Sequence, residues 1–191
     1  MTRAAITTKN AEPRKLQLDK LESIFQGICR FCSQYSKAAK PMSPGDLPAR
    51  IVINSLKGLA TQVGAAVLGD ARAEYEVTFS KGAGKFPRVP WVAIVPVGSS
   101  VAKAPSVAIC FGRNGEGAVV GLMEPAIGER SGRTIARTKD GEIRVDVNGS
   151  GLTAQYNNKF INPQEFLTEK PQMKKLLSHL HESLVLLRQY Q

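Results

Sequence analysis

Histidine occurs only twice and cysteine only three times in 191 residues, and that scarcity removes several kinds of chemistry. An odd, sparse cysteine set is not a disulfide framework. Cys29 and Cys32 form a Cys-x-x-Cys, but a four-ligand zinc site would have to be completed by Cys110, His179 or His181, which lie in unrelated parts of the chain. Leu18, Leu21, Phe25, Ile28, Cys32 and Tyr35 follow a three-four spacing, so Cys32 reads as a small hydrophobe on the apolar stripe of a helix. His179 and His181, two apart on a helical pattern, do not face each other and make a poor metal or catalytic pair. No metal and no cofactor is expected.

Other absences narrow the field further. No run of about 18 uninterrupted apolar residues exists to cross a membrane, and the first ten residues carry Arg3 and Lys9 without the apolar centre of a secretory signal. A cytoplasmic protein without membrane contact is expected. Gly82-Ala83-Gly84-Lys85 suggests a phosphate loop, but Phe79 stands where a Walker loop needs glycine and Phe86 stands where it needs Ser or Thr. No dinucleotide fingerprint leads into a helix, and no Gly-x-Ser-x-Gly elbow has a histidine partner. Acids that could hold a divalent ion are confined to Glu74 and Glu76 and to Asp140, Glu142 and Asp146, positions that read as solvated residues around polar loops. The chain is not expected to be an enzyme.

Acidic residues are also missing from one long stretch. Between Val77 and Gly115 there is no Asp or Glu, while Lys81, Lys85, Arg88, Lys103 and Arg113 supply positive charge. Over the whole chain 26 Lys and Arg stand against 16 Asp and Glu, for a net charge of +10. A field of one sign over that segment favours a polyanion partner.

The remaining pattern organises the chain as one domain, residues 14–191, behind a polar, flexible leader at 1–13. One helix is predicted from Lys15 to Ala39, ending at Lys40-Pro41-Met42-Ser43-Pro44-Gly45, and a second from Leu47 to Leu68. Tyr75, Val77 and Phe79 alternate as a half-exposed strand within Ala73 to Ser80. Trp91 to Val97 and Pro105 to Phe111 read as interior strands, and Arg113-Asn114-Gly115-Glu116-Gly117 as a tight turn into Ala118 to Met123. Ile143, Val145 and Val147 suggest one more short strand. Asn162-Pro163-Gln164-Glu165 looks like a helix cap with a first-turn proline, and after Pro171 the stretch Lys174 to Tyr190 places Leu176, Leu177, Leu180, Leu184 and Leu187 on a helical face. Helices bracketing strands predict an α+β fold with a mixed or antiparallel curved sheet, flanked by N-terminal helices and a C-terminal amphipathic helix.

The segment Val77-Thr78-Phe79-Ser80-Lys81-Gly82-Ala83-Gly84-Lys85-Phe86-Pro87-Arg88-Val89-Pro90-Trp91-Val92-Ala93-Ile94 joins a basic glycine loop to the only tryptophan. Glycines at 82 and 84 permit close approach to a phosphodiester, and Lys81, Lys85 and Arg88 favour counterion release. The plainer reading makes the glycines a strand connection and Trp91 a core residue; both can hold, since an indole can wall a cavity from inside a fold.

Those eighteen residues resemble the N-terminal DNA-recognition domain of McrB-type modification-dependent restriction proteins. In that family a strand ends in a Gly-x-Gly-(Asn or Lys)-Phe loop that leads into (Ile or Val)-Pro-Trp-(apolar)-Ala. A second apolar strand, Ser106 to Phe111, then Asn114-Gly115, a further strand and a closing helix follow in the same order. The resemblance implies a reader of methylated cytosine in double-stranded DNA that rotates the modified base into a pocket. Trp91 and the position of Ser106 would border that pocket, and Lys81, Gly82, Ala83, Gly84, Lys85, Arg88 and Arg113 would meet the DNA. Ala83 and Ser106 stand where the family carries aromatics, so neither supplies a wedge or a second stacking wall. The partners implied are a GTP-hydrolysing motor and a nuclease subunit in a restriction or defence system, both absent from these residues. A protein-interaction adaptor, with a basic docking surface and the leucine-rich last helix as its handle, is the alternative.

Overall fold

The computed structural model describes residues 15–38, 40–125, 144–148 and 159–190. Helix α1 (Lys15–Ser36) and helix α2 (Leu47–Val63) each turn one apolar stripe inward: Leu21, Phe25, Ile28, Cys32 and Tyr35 from the first, Ala49, Val52, Leu56, Leu59 and Val63 from the second. The observed α1 ends three residues before the predicted Ala39, because the chain already turns at Lys37 and Ala38 toward the proline-rich link. After α2 the chain widens into a π turn, Gly64–Leu68, and then tightens into a 3-10 turn, Gly69–Ala73. By length and composition alone Leu47–Ala73 could cross a bilayer. Its α-helical part, however, lays its apolar face against α1 and the first strands.

Five strands follow: β1 (Tyr75–Phe79), β2 (Trp91–Pro96), β3 (Ser106–Phe111), β4 (Gly117–Met123) and β5 (Phe160–Leu167), and α3 (Met173–Tyr190) closes the chain. They pair in sequence order β1-β2-β3-β4-β5, antiparallel throughout. The fold is α+β, with the helices before and after the sheet as the pattern indicates.

The three central strands are buried on both faces, which explains why β2, β3 and β4 read as unbroken apolar runs rather than alternating ones. Val92, Ile94, Val107, Ile109, Phe111, Val120 and Leu122 face the helices. Ala93, Val95, Ala108, Cys110 and Val119 face the other way, where Val89, Val145, Val147 and Phe160 join them. Val145 and Val147 are buried as their alternation predicts, yet 144–148 is not one of the five strands; Ile143, Asp140 and Glu142 lie outside the described residues.

The clearest correction concerns Asn162-Pro163-Gln164-Glu165. These residues are not a helix cap; they form the middle of β5. Phe160, Ile161 and Phe166 bury against β4, a gain that outweighs the local capping signals. Pro163 is tolerated because β5 is an edge strand. Asn162 adopts φ 50 where the register shifts between Val120 and Leu122, a conformation asparagine accepts more readily than most residues. The buried imidazole of His179 fixes this irregularity, with Nε2 3.2 Å from the Val120 carbonyl and 3.1 Å from that of Asn162. His179 therefore packs, and does not pair with His181. The leucines of α3 also turn inward: Leu176, Leu180, Leu184 and Leu187 are buried in the main core.

Candidate nucleic-acid interface

Antiparallel pairing in sequence order puts the β1–β2 loop, residues 80–90, and the β3–β4 turn, residues 112–116, at the same end of the sheet. A direct bond ties the loop to the last residue of β3, just before the turn, the Phe111 amide donating to the Pro90 carbonyl at 2.9 Å. Lys81, Lys85, Arg88 and Arg113 therefore gather at one end, while Lys103 sits in the β2–β3 connection at the other.

The loop is closed at its base by Ser80. Its amide donates to the Trp91 carbonyl at 3.0 Å, and its hydroxyl accepts from the Trp91 amide at 3.0 Å. Further along, Phe86 is buried against Phe31 and Tyr35, with ring centroids 5.4 Å and 6.1 Å away. The Phe86 amide donates to the Met42 carbonyl at 2.8 Å, and the Phe86 carbonyl accepts from the Tyr35 hydroxyl at 3.1 Å. Phe86 belongs to the core under the helices, whereas Val89 belongs to the cluster on the opposite face. The loop thus wraps the end of the sheet, held on both sides.

Between these anchors Lys81, Gly82, Ala83, Gly84 and Lys85 are exposed. Gly82 and Gly84 have φ of 79° and 75°. Gly82 also serves packing: a Cβ there would stand 2.7 Å from the Lys85 carbonyl and 3.0 Å from Pro44. Lys81 folds back with its ammonium 5.3 Å from the Phe79 ring centroid. Arg88 places its guanidinium 5.6 Å from the centroid of Tyr35, on the helix side.

The β3–β4 turn is pinned from three directions. The Gly112 amide donates to the Gly117 carbonyl at 2.8 Å, the Thr168 hydroxyl donates to the Gly115 carbonyl at 2.8 Å, and the Arg113 amide donates to the Asp146 carbonyl at 2.9 Å. Gly115, at φ 81, lies so close to α1 that a Cβ would collide with the Cys29 carbonyl. Arg113 is thereby fixed beside the end of α1, and its Nε pairs with Asp146 Oδ2 at 2.9 Å. A cavity of about 220 Å³ opens between the two loops, lined by Tyr35, Ser36, Arg88, Arg113 and Asn114.

Trp91 is half-buried and does not border that cavity. Its indole packs against the cluster on the face away from the helices, the one that contains Val89, Ala93 and Val95. Ser106 shares this face but not this place: Trp91 pairs with Cys110, four residues along β3 from Ser106, or ~13 Å of strand rise. Ser106 is fully buried, with no hydrogen-bond partner for its hydroxyl. The structure therefore joins Arg88 with Arg113 and keeps Trp91 at the same sheet end, but separates Ser106 from all of them.

Tyr35, Ser36, Asn114 and Ser80 are the residues the sequence reading left out of the site. Tyr35 was legible only as an apolar stripe residue, since nothing local shows that its hydroxyl reaches a loop 51 residues away. Asn114 stood in a turn signal, and only the sheet's pairing brings that turn to the basic loop.

No thiol here is a nucleophile near neutral pH. Burial pushes Cys29, beneath the turn, up to about 11, and Cys110, opposite Trp91, up to about 12; Cys32 is raised further by burial and by neighbouring Cys29. Among the described residues no group of three His, Cys, Asp or Glu could hold a metal ion. No protein-family model, no curated protein and no solved structure matches this chain.

Proposed function

We propose that this protein is a DNA-binding module that reads modified, methylated cytosine, without enzymatic activity of its own, in a restriction or defence system whose motor and nuclease are separate. The observation that carries the reading is the convergence of Lys81, Lys85, Arg88 and Arg113 on one end of the sheet, from two loops that are each fastened to the core. Cations on anchored backbone lose little freedom when they meet phosphates, so more of their attraction is left for binding. Trp91 stands at the same end, on the side away from the helices and only half-buried, which leaves part of the indole to meet a nucleobase rotated from the duplex. The resemblance of residues 77–94 to the McrB-type recognition domain supports the choice of modified cytosine over another base.

The adaptor reading loses its handle, because the leucine stripe of α3 is spent on the core. Titration of a labelled random duplex at moderate salt separates the two readings. Saturable binding that weakens steeply with added salt is expected; absence of saturable binding contradicts the proposal.

A further inference from the structure

We infer that the cavity between Arg88 and Arg113 seats one phosphoryl group, held by both arginines at once. Its five lining residues include two cations and no acid. Each guanidinium is oriented by a contact that, among the described residues, leaves part of its hydrogen-bonding edge free. Arg88 lies over the Tyr35 ring, and Arg113 commits its Nε to Asp146. The Asn114 amide adds neutral donors, and a tetrahedral phosphoryl group offers several strong acceptors to such a set.

Two features oppose an anion: the Asp146 carboxylate, which Arg113 already pairs, and the end of α1, since helix C-termini carry partial negative charge. Here that opposition is reduced. The Ser33 carbonyl accepts from the Ser36 hydroxyl at 2.9 Å, the Gln34 carbonyl from the Lys37 amide at 3.3 Å, and the Tyr35 carbonyl from the Ala38 amide at 3.0 Å. Three of the last four carbonyls of α1 are thus occupied within the chain. Volume decides how much of a ligand fits: about 220 Å³ falls below the roughly 300–1,000 Å³ of sites that bury whole small molecules. A charged group with a few waters fits; an entire nucleotide does not.

Two sources could supply that group, a nucleic-acid strand or a small phosphorylated metabolite. The strand source rests on the DNA reading above, whereas the cavity's chemistry does not. If a strand supplies it, the site fixes that strand's position relative to Trp91 without reading sequence.

The salt dependence of duplex binding is measured by anisotropy for the wild type, Arg88→Gln, Arg113→Gln and the double variant. In parallel, the arginine Nε–H resonances are followed by NMR during titration with deoxycytidine 5′-monophosphate, and with deoxycytidine as control. Two arginines on a single phosphate predict that the double variant lowers the salt slope by about 1, the loss of one phosphate contact, and that neither single variant lowers it by more. A drop of about 2 in the double variant assigns the arginines to separate phosphates and overturns the inference, as does a wild-type slope unchanged in all three; the DNA reading survives both results. If the wild type binds no duplex yet the monophosphate shifts both Nε–H signals saturably, the site stands with a small-molecule source and the DNA reading falls. If neither ligand registers, both fall. Because Arg113→Gln also removes an ion pair, Asn114→Asp provides a check that leaves that pair in place. It is expected to weaken duplex binding about tenfold at unchanged thermal stability, and undiminished affinity counts against the cavity.

Discussion

The Tyr35 hydroxyl and the Phe86 carbonyl meet at 3.1 Å across 51 residues of sequence. The same hydroxyl accepts from the Met42 amide at 3.2 Å, so one oxygen links α1, the segment before α2 and the basic loop. Loop position is thereby coupled to the integrity of the helix pair.

Removing that oxygen should be felt in both. Tyr35→Phe leaves the Phe86 carbonyl without its side-chain donor and the Met42 amide without its acceptor, at a cost of ~1–3 kcal/mol. Urea unfolding should show that loss, with duplex affinity reduced as the loop loosens. Unchanged stability would mean that water replaces the hydroxyl without penalty.

Gly115 makes a sharper case. Its φ of 81° disfavours any side chain, and a Cβ would run into the Cys29 carbonyl. Gly115→Ala should cost at least ~1–3 kcal/mol and displace Arg113 and Asn114 from α1. Amide chemical shifts of the turn and of Cys29 report the displacement; a variant with wild-type shifts and stability contradicts the described seating of the turn.

The thiols give a prediction about pH. Burial raises the folded-state values of Cys29 and Cys110 from 9.0 to about 11 and about 12, so the folded protein keeps these protons where the unfolded chain releases them. Their contribution to stability is fully present below about pH 9 and is lost as pH rises from there through the folded-state values. Native protein at pH 8 should resist thiol-reactive reagents, and all three cysteines should label in urea. Rapid labelling without denaturant would contradict the burial.

Much of this architecture could be read from residue order. Apolar spacing located α1, α2 and α3, and unbroken β-branched runs located β2 and β3. What failed was β5, because Asn162-Pro163 carries a strong local capping signal and the pairing with β4 that overrides it is a long-range contact. The site divided in the same way. Lys81, Lys85, Arg88 and Arg113 are conspicuous as charges on polar loops. Ser106 was placed by analogy of order, and strand register sets it at the far end of the sheet from Trp91's position. Tyr35 and Asn114 could be found only once pairing had folded the two loops together.

Trp91 carries the discrimination in this account. A base stacked on an aromatic contributes ~1–3 kcal/mol by alanine substitution. Trp91→Ala should therefore weaken binding to modified duplex more than to unmodified duplex, provided circular dichroism shows it folded. Retention of the full preference would place the base elsewhere.

The most direct measurement compares wild-type affinity, at one fixed salt concentration, for three otherwise identical duplexes carrying cytosine, methylcytosine or hydroxymethylcytosine at a single position. A modified-cytosine reader binds at least one of the modified duplexes more tightly than the plain one. Equal affinity for all three would leave a basic DNA-binding surface without the reading function.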